Sequence, residues 1–280
     1  MKNILITGSK GHIGSNLVQA LKAEGDCHIF EATRENGCDL EEKGWVNNIP
    51  DGHYDVVIDL AQSRRYRDFP EGNEDVFAVN IRSTFELLEW SRIRGVKRFV
   101  FASTGIVYEN QHGRKLNETD PCLPRSLYAA SKLCAEHLIR QYADFFQVVI
   151  MRIFGVYGPS QSGNIIPSMI QRVRNGEEIY LAGNKGFFTT PIFISDCIKA
   201  ISKVALDQLD TRELIFNLTG NEVLSLAEIV NIISKALNTK ANIVVTEEEP
   251  QWVCGDNTLM RTFYRPEIPF ALGLEKTLNG

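Results

Sequence analysis

Short apolar segments alternate with longer segments whose apolar positions recur every three or four residues through the first part of the chain. The apolar segments predict strands at 3–8, 27–33, 54–61, 97–103 and 146–153, and the periodic segments predict helices at 12–24, 74–94 and 126–144. Nearly continuous apolar strands that alternate with helices are typical of a parallel sheet covered on both faces. The pattern therefore predicts an α/β fold.

The pattern becomes looser after Gly158-Pro159. It predicts helices at 165–175, 195–207 and 225–237 and strands at 178–181 and 214–220, and it predicts that the last forty residues are mostly loops. A chain of 280 residues suits one large α/β domain, or a main domain with a smaller annex.

Composition excludes several classes of protein. The net charge of −5 gives no sign of a nucleic-acid or membrane-surface partner. The six cysteines form no C-x-x-C pair and do not cluster with the histidines, so we expect neither a metal site nor a disulfide framework. Scattered thiols fit a reducing compartment, and no signal peptide or membrane-spanning run is visible, so we expect a cytoplasmic protein.

A glycine-rich turn follows the first predicted strand. Gly8, Gly11 and Gly14 have the spacing G-x-x-G-x-x-G, and a predicted helix begins at the turn. Such a turn lets a pyrophosphate approach the backbone and lie at the helix N-terminus. The alternative is an ordinary glycine turn, but the position between a strand and a helix favours nucleotide binding.

The segment "LYAASKLCAEHL" places Tyr128 four residues before Lys132. Residues four apart share one face of a helix. Taken alone, the pair fits a half-buried aromatic residue next to a solvated lysine, and its interpretation depends on the rest of the chain.

Several segments together resemble the extended short-chain dehydrogenase/reductases, the nucleotide-sugar epimerase/dehydratase family. The glycine spacing is similar, "DVVIDLAQ" resembles the family's strand beside adenine and ribose, and "FASTGIVYE" resembles its catalytic loop. "LYAASK" resembles its Tyr-x-x-x-Lys motif, while "MRIFGVYGP" and "IFISD" resemble its later segments. The resemblance implies a Rossmann-type doubly wound parallel sheet with a smaller C-terminal α/β substrate-binding domain. The implied limits are 1–157 with 187–207 for the first domain, and 158–186 with 208–280 for the second.

The resemblance implies that Thr104, Tyr128 and Lys132 are catalytic. Moving a hydride between nicotinamide and a sugar carbon requires a proton to move on the attached oxygen. An ordinary tyrosine has a pKa of about 10 and is a poor base at neutral pH. We expect Lys132 and an oxidised nicotinamide to favour the phenolate, so that Tyr128 acts as general acid or base. Thr104 would donate a hydrogen bond to the reacting oxygen, with Ser103 as the alternative donor.

The resemblance also implies how the cofactor is held. Members that use NAD carry an acid at the end of the second strand, where this chain has Ala32, whereas Arg34 and Lys10 resemble residues that hold the 2′-phosphate of NADP(H). The alternative is NAD, with Arg34 on the surface and Glu31 on the ribose diol. The residues expected to contact the cofactor are Gly8, Lys10, Gly11, His12, Ile13, Gly14, Arg34, Asp39, Leu40, Leu60, Ala61, Gln62, Asn80, Tyr128, Lys132, Phe154 and Val156.

The chain departs from its relatives after Thr104. Dehydratases of the family carry an Asp-Glu pair there, and members that epimerise carbons next to the ketone carry a cysteine, whereas this chain has Gly105 and Ile106. Neither residue can move a proton, although Glu109 is another candidate base. Redox at one carbinol remains, usually at C4 of the sugar. The leading hypothesis is an NADP(H)-dependent reductase of a nucleotide-linked 4-keto sugar. The alternatives are an NAD-dependent 4-epimerase and a non-catalytic NADP sensor.

The substrate side matches the family less well. Gly155 replaces the family's asparagine, and Thr189-Thr190 replaces its Arg-Asp. The resemblance implies a nucleotide-diphosphate sugar as substrate and a homodimer through the helices at 74–94 and 126–144. The residues expected to contact the substrate are Ser103, Thr104, Gly105, Asn164, Ile165 and Arg172.

Overall fold

The computed structural model describes residues 1–108 and 113–280, which group into two compact units. Unit 1 comprises Met1–Tyr108, Pro121–Arg152 and Ile198–Phe216, and unit 2 comprises 113–120, Ile153–Cys197 and Asn217–Gly280. These limits differ from the sequence-based division, because 113–120, 153–157 and 187–197 group with unit 2 and 208–216 group with unit 1. That division rested on the resemblance alone, and the assignment of the second domain to substrate binding stays a prediction.

The strands and helices predicted from the sequence are present, with shifts at their ends. The strands are β1 (Lys2–Thr7), β2 (Cys27–Ala32), β3 (Val56–Asp59), β4 (Arg98–Thr104), β5 (Gln147–Ile153), β6 (Val156–Tyr157), β7 (Glu178–Ala182), β8 (Phe188–Thr189), β9 (Ile192–Phe193), β10 (Glu213–Leu218), β11 (Leu224–Ser225), β12 (Asn242–Thr246) and β13 (Trp252–Val253). The helices are α1 (His12–Glu24), α2 (Asn73–Phe77), α3 (Ser83–Ile93), α4 (Leu127–Arg140), α5 (Ile165–Asn175), α6 (Ile194–Leu206), α7 (Leu226–Leu237) and α8 (Phe270–Asn279).

A six-stranded sheet has the strand order β10-β5-β4-β3-β1-β2. Strand β1 pairs in parallel with both β2 and β3, and β3 pairs in parallel with β4. The chain therefore winds outward from β1 in one direction to β2 and in the other direction to β3. The fold is the predicted doubly wound parallel sheet. Ligands of such sheets bind outside the carboxyl ends of the strands where the winding reverses, here beyond β1 and β3.

The centre of the sheet is apolar because its strands are covered on both faces. All four residues of β3 and all seven of β4 are buried. The core cluster of unit 1 joins sheet residues such as Leu5 and Phe99 to Trp90 on α3 and Ile139 on α4. Continuous apolar strands of this kind are what two-sided burial requires.

Helix ends follow local chemistry in both units. Helix α1 ends at Gly25, which adopts the left-handed conformation that terminates helices. Helix α4 begins after Ser126, whose hydroxyl accepts a hydrogen bond from the Ala129 amide. Helix α4 ends at Arg140, four residues before the predicted end at 144.

The predicted single helix at 74–94 is interrupted. A five-residue π-helical turn, Ala78–Arg82, lies between α2 and α3. The buried Asn80 side chain in this turn accepts a hydrogen bond from the Ser63 amide at 2.8 Å and donates one to the Ser131 hydroxyl at 2.9 Å. π-turns inside helices occur frequently at functional sites. The spacing of hydrophobic residues does not predict this π-helical turn, because the hydrogen bonds of Asn80 are tertiary contacts.

Unit 2 contains smaller sheets. Their strand orders are β11-β8-β13, β12-β7 and β6-β9. The buried Asp196 carboxylate organises part of this unit, since it accepts hydrogen bonds from the Tyr264 hydroxyl at 2.6 Å and from the Glu267 and Ile268 amides.

The prediction of a loop-rich C-terminus is wrong for α8. This helix begins after Pro269 and buries Phe270, Gly273 and Leu274. A Cβ atom on Gly273 would lie 2.2 Å from the Tyr157 hydroxyl, so a glycine is needed for this close packing. Glycine is unfavourable in helix interiors, and its use here is set by tertiary contact. No helix among the described residues is both long and apolar enough to cross a membrane.

Candidate active site

The glycine turn after β1 packs directly against the end of β3. Gly8 has a φ of +66°, and a Cβ atom there would lie 2.7 Å from the carbonyl carbon of Leu60. A Cβ atom on Gly14 would lie 2.2 Å from the Gly8 carbonyl oxygen. Both positions therefore require glycine, for backbone conformation at Gly8 and for close approach at both.

The N-terminus of α1 fits an anionic group. Gly11 at the N-cap supplies no side chain, so the first amides of this helix lack a side-chain acceptor. The buried Nε2 atom of His12 has no hydrogen-bond partner among the described residues, and burial lowers the pKa of this imidazole. Uncapped amides and an unused imidazole nitrogen beside a glycine turn suit the pyrophosphate of a dinucleotide. Ile13 and Gly14 continue this turn into the helix.

The region after β2 contains the residues predicted to select the cofactor. Ala32 is buried at the end of β2. Family members that use NAD carry an acidic residue at this position. The Arg34 guanidinium is half exposed and pairs with two carboxylates, Asp39 at 3.0 Å and Glu41. Lys10 pairs with Glu35 at 3.6 Å, and both side chains are exposed. Arg34 and Lys10 thus lie at the surface with acidic partners. Leu40 is partly buried.

Glu31 is the residue that would hold the ribose diol if the cofactor is NAD. Its Oε1 atom accepts a hydrogen bond from Lys22 Nζ at 2.9 Å. This hydrogen bond holds the pKa of the Glu31 carboxyl below its ordinary value, although burial opposes the effect.

Residues after β3 meet the predicted catalytic helix. Lys132 Nζ donates a hydrogen bond to the Ala61 carbonyl at 2.9 Å, and the Tyr128 hydroxyl donates one to Gln62 Oε1 at 2.9 Å. Asn80 connects the next residue of this segment, Ser63, to Ser131 on α4. The structure therefore brings Ala61 and Gln62 together with Tyr128 and Lys132, which sequence separates by more than sixty residues.

Tyr128 and Lys132 lie one turn apart on α4, as predicted, but their ionisation differs from the expectation. Burial raises the pKa of the Tyr128 phenol, and Tyr66 adds to the rise, while a hydrogen bond with Thr104 and the charge of Arg67 oppose it. The Lys132 ammonium donates to the Ala61 carbonyl. Lys132 is only 2% exposed, and this burial lowers its pKa to about 8.

A buried ion pair lies one further turn along α4. Glu136 accepts hydrogen bonds from the Arg152 guanidinium, with 2.8 Å between Nη2 and Oε2, and also from the Ser103 hydroxyl. Ser103 is buried, and its hydroxyl donates to Glu136; its role as the alternative donor to substrate stays a prediction. This cluster joins β4, β5 and α4 behind the predicted catalytic residues. Removing one partner of such a pair is strongly destabilising, by about 3–5 kcal/mol.

Gly105 and Ile106, the two residues that follow Thr104, carry no acid or base. The Thr104 hydroxyl accepts a hydrogen bond from the Ile106 amide at 3.4 Å; Gly105 is buried, whereas Ile106 is exposed. Glu109, the other candidate base, lies outside the described residues.

The remaining predicted contacts belong to unit 2. Phe154 is buried, and its amide donates to the Leu218 carbonyl, while Val156 lies in β6. Asn164 is the N-cap of α5 but makes no capping hydrogen bond through its side chain, and Ile165 is half exposed. Arg172 donates a hydrogen bond to the Glu178 carbonyl at 2.7 Å. Their roles toward cofactor or substrate stay predictions.

A glycine turn at the point where the sheet reverses, beside a Tyr-x-x-x-Lys helix, defines a dinucleotide-binding oxidoreductase of the short-chain dehydrogenase type. The sequence model of the NAD dependent epimerase/dehydratase family matches residues 4–218. The chain belongs to this family, and it is an enzyme of the NAD(P)-dependent oxidoreductase type.

Known proteins resemble the chain over most of its length. A low-salt glycan biosynthesis protein of Haloferax volcanii is 27% identical over 99% of this chain and 97% of its own length. A GDP-6-deoxy-D-talose 4-dehydrogenase of Aggregatibacter actinomycetemcomitans is 28% identical over 78% of this chain and 74% of its own length. The solved structure of Thermus thermophilus UDP-glucose 4-epimerase with NAD is 26% identical, with a TM-score of 0.80, and the match covers 99% of this chain and 98% of that one.

Sequence reasoning missed three arginines near Tyr128. Arg65, Arg67 and Arg125 line a cavity together with this tyrosine. The available signal was the segment "RRYR" at 64–67, which places three arginines within four residues of an otherwise acidic chain.

Proposed function

We propose that the protein is a nucleotide-sugar 4-epimerase, which oxidises and re-reduces the sugar carbinol at C4. The observation that carries this proposal is the placement of the Tyr128 hydroxyl and the buried Lys132 against Ala61 and Gln62, next to a loop in which Gly105 and Ile106 offer no proton acceptor. Such a site suits proton transfer at one oxygen and lacks equipment for chemistry at the neighbouring carbons.

The proposed step moves a hydride and a proton from the same carbinol. Tyr128 accepts the proton of the C4 hydroxyl as the carbinol becomes a ketone, and it returns the proton when the ketone is reduced on its other face. A nicotinamide dinucleotide held at the glycine turn would supply the acceptor and the donor of the hydride at C4. Thr104, whose hydroxyl bonds to the Tyr128 phenol, donates to the same oxygen. Lys132 keeps an ammonium beside the site, and its positive charge favours the phenolate when it turns toward the ribose.

The similarity to the Thermus thermophilus UDP-glucose 4-epimerase supports this reading, since that structure holds NAD and matches nearly the whole chain. We propose NAD held at the α1 N-terminus, with a nucleotide-diphosphate sugar as substrate. We also propose that unit 2 binds the nucleotide, through residues that include Asn164, Ile165 and Arg172. A homodimer through α2, α3 and α4 is part of the proposal, and the exposed Phe77, Phe85 and Ile93 support it.

The direct test is C4 inversion without added cofactor. The purified protein is incubated with UDP-glucose, UDP-galactose, UDP-glucuronate and the matched GDP- and dTDP-linked sugars and uronates, and the products are followed by NMR. Mass spectrometry of the acid-released cofactor identifies the nucleotide that co-purifies. We expect interconversion at C4 with NAD retained. Binding of these sugars without inversion at C4, in protein loaded with NAD, would contradict the proposal.

A second candidate is the NADPH-dependent reductase of a 4-keto nucleotide sugar. The observation that favours it is the absence of an acid at Ala32 together with Arg34 two residues later. The similarity to the GDP-6-deoxy-D-talose 4-dehydrogenase adds support for redox at C4 without epimerisation. One NADPH oxidised per 4-keto sugar reduced, with no inversion of C4 in the absence of added NADPH, would select this candidate over the epimerase.

A further inference from the structure

Unit 1 contains a cavity of about 470 Å³ whose wall includes Tyr128. The wall combines the segment after β3 with the start of α4, and Ile106 closes part of it. This volume lies within the range of roughly 300–1,000 Å³ that small-molecule sites occupy. The cavity is therefore large enough for a hexose ring beside Tyr128.

The charges along this cavity are mostly positive. Arg65, Arg67 and Arg125 line it with a single carboxylate, Asp68. Arg65 pairs with Asp68 at 3.5 Å. Both side chains are exposed, so this ion pair contributes little stabilising energy. Arg125 makes no ion pair or side-chain hydrogen bond among the described residues. An excess of guanidinium groups in a chain of net charge −5 indicates an anionic ligand.

Arg67 is connected to the predicted catalytic tyrosine through the ring of Tyr66. Its guanidinium lies 4.9 Å from the centroid of the Tyr66 ring, and that ring lies 4.7 Å from the ring of Tyr128. The charge of Arg67 also lowers the pKa of Tyr128, against the larger effect of burial. The arginines and the predicted proton-transfer residue Tyr128 therefore line the same cavity.

The positions of the charged groups on a nucleotide sugar indicate which of them could lie in this cavity. This step rests on the proposed function, in which Tyr128 meets the oxygen on C4. The nucleotide diphosphate is attached at C1, on the opposite side of the six-membered ring from C4. A carboxylate at C6 is attached to C5, the immediate neighbour of C4. An anion close to Tyr128 is therefore a substituent of the sugar rather than the diphosphate.

We propose that the cavity binds the sugar ring of a nucleotide-diphosphate hexuronate, and that Arg125 and Arg67 hold its C6 carboxylate. The planar fork of arginine matches a carboxylate with two parallel hydrogen bonds. A neutral hexose in the same place leaves the guanidinium groups without this partner, which gives selectivity for the acid.

The test compares matched acid and neutral sugars that share one nucleotide. UDP-glucuronate is paired with UDP-glucose, and GDP-mannuronate with GDP-mannose, and dissociation constants are measured by calorimetry on the NAD-loaded Tyr128→Phe variant. This variant blocks turnover, so binding selectivity is measured separately from the reaction. We expect the acid of at least one pair to bind ten times or more tighter than its neutral partner. Equal binding within both pairs, or tighter binding of the neutral sugars, overturns the inference. Absence of C4 turnover by the wild-type enzyme bears on the proposed function instead.

Arginine variants then locate the carboxylate. Arg125→Ala is expected to weaken binding of the acid by roughly tenfold to a hundredfold and to leave the neutral sugar unchanged within about threefold. Arg125→Lys keeps the charge but loses the planar fork, so its affinity for the acid should lie between those of the wild-type protein and Arg125→Ala. The matched control is Arg64→Ala, an exposed arginine of the same segment that does not line the cavity. An equal loss of acid binding in Arg64→Ala and Arg125→Ala would show a general effect of charge and would contradict the assigned contact.

Discussion

Replacing Lys132 with methionine is expected to raise the stability of the ligand-free protein at neutral pH. Lys132 is 2% exposed, and its ammonium has the Ala61 carbonyl at 2.9 Å and the Phe101 ring centroid at 4.6 Å. Burial lowers the pKa of this lysine from 10.5 to about 8, although Asp59 and Glu136 oppose the change. A difference of this size corresponds to about 3 kcal/mol of unfolding free energy lost by keeping the group charged.

Methionine has a similar length and no charge, so it removes this penalty. It also removes the hydrogen bond to the Ala61 carbonyl, which contributes about 1–2 kcal/mol when the donor is charged. The net expectation is a gain of about 1–2 kcal/mol at pH 7, or roughly 2–6 °C in the melting temperature.

The pH dependence distinguishes this cause from a general packing effect. The folded-state pKa of Lys132 lies below the unfolded value, so the unfolded chain binds more protons between pH 8 and 10.5. The penalty on the wild-type protein is therefore complete below about pH 8 and is relieved as the pH rises toward 10.5. The advantage of Lys132→Met should shrink across this interval and then reverse, because only the lost hydrogen bond remains.

Scanning calorimetry of both proteins from pH 7 to pH 10.5 measures this difference. The matched control is Lys203→Met, an exposed lysine paired with Asp207 at 3.1 Å, which should change stability by less than about 0.5 kcal/mol at every pH. A Lys132→Met protein that is less stable at pH 7, or an advantage that stays constant with pH, would refute the reasoning.

Four further outcomes test the proposed site. Tyr128→Phe should lower turnover about a hundredfold to ten-thousandfold while cofactor titrations stay nearly unchanged, and retention of a tenth of the activity would contradict the mechanism. Arg34→Ala should weaken NADPH by roughly tenfold to a hundredfold more than NADH if Arg34 holds a 2′-phosphate; equal losses would leave it a surface residue paired with acids. Turnover in deuterated water should place no enzyme-dependent deuterium on C3 or C5, and exchange there would point to a base that Gly105 and Ile106 do not supply. Gly14→Ala should abolish cofactor binding measured by fluorescence titration, because its Cβ atom would lie 2.2 Å from the Gly8 carbonyl, and normal affinity would exclude this turn as the binding site.

The parts of the fold that sequence predicts well are those set by local chemistry. Helix α5 has the predicted limits, and Gly176 ends it in a left-handed conformation that glycine adopts readily. The strands of the sheet are recognisable because two-sided burial makes them continuously apolar. Helix α8 escaped prediction because Gly273 in its interior is unfavourable for a helix and is required only by contact with Tyr157.

The same distinction applies to the site. The spacing of Tyr128 and Lys132 is visible in the sequence because both lie on one helix. Arg67 and Arg125 are far apart in the chain, and only the path of the segment after β3 brings them to one cavity. The direction of the Tyr128 pKa was also out of reach, since it depends on burial and on Tyr66.

The π-helical turn at Ala78–Arg82 limits how this part of the chain tolerates changes in length. Each residue of an α-helix advances the face by about 100°, so deleting one residue to restore regular α-helix would rotate α2 relative to α3 by that angle. The Asn80 amide would then leave Ser63 and Ser131, and the segment that contains Gln62 and the arginines would lose one of its connections to α4. Point substitutions on the exposed side of α3 leave this geometry intact, whereas a one-codon deletion between residues 78 and 82 changes it at once.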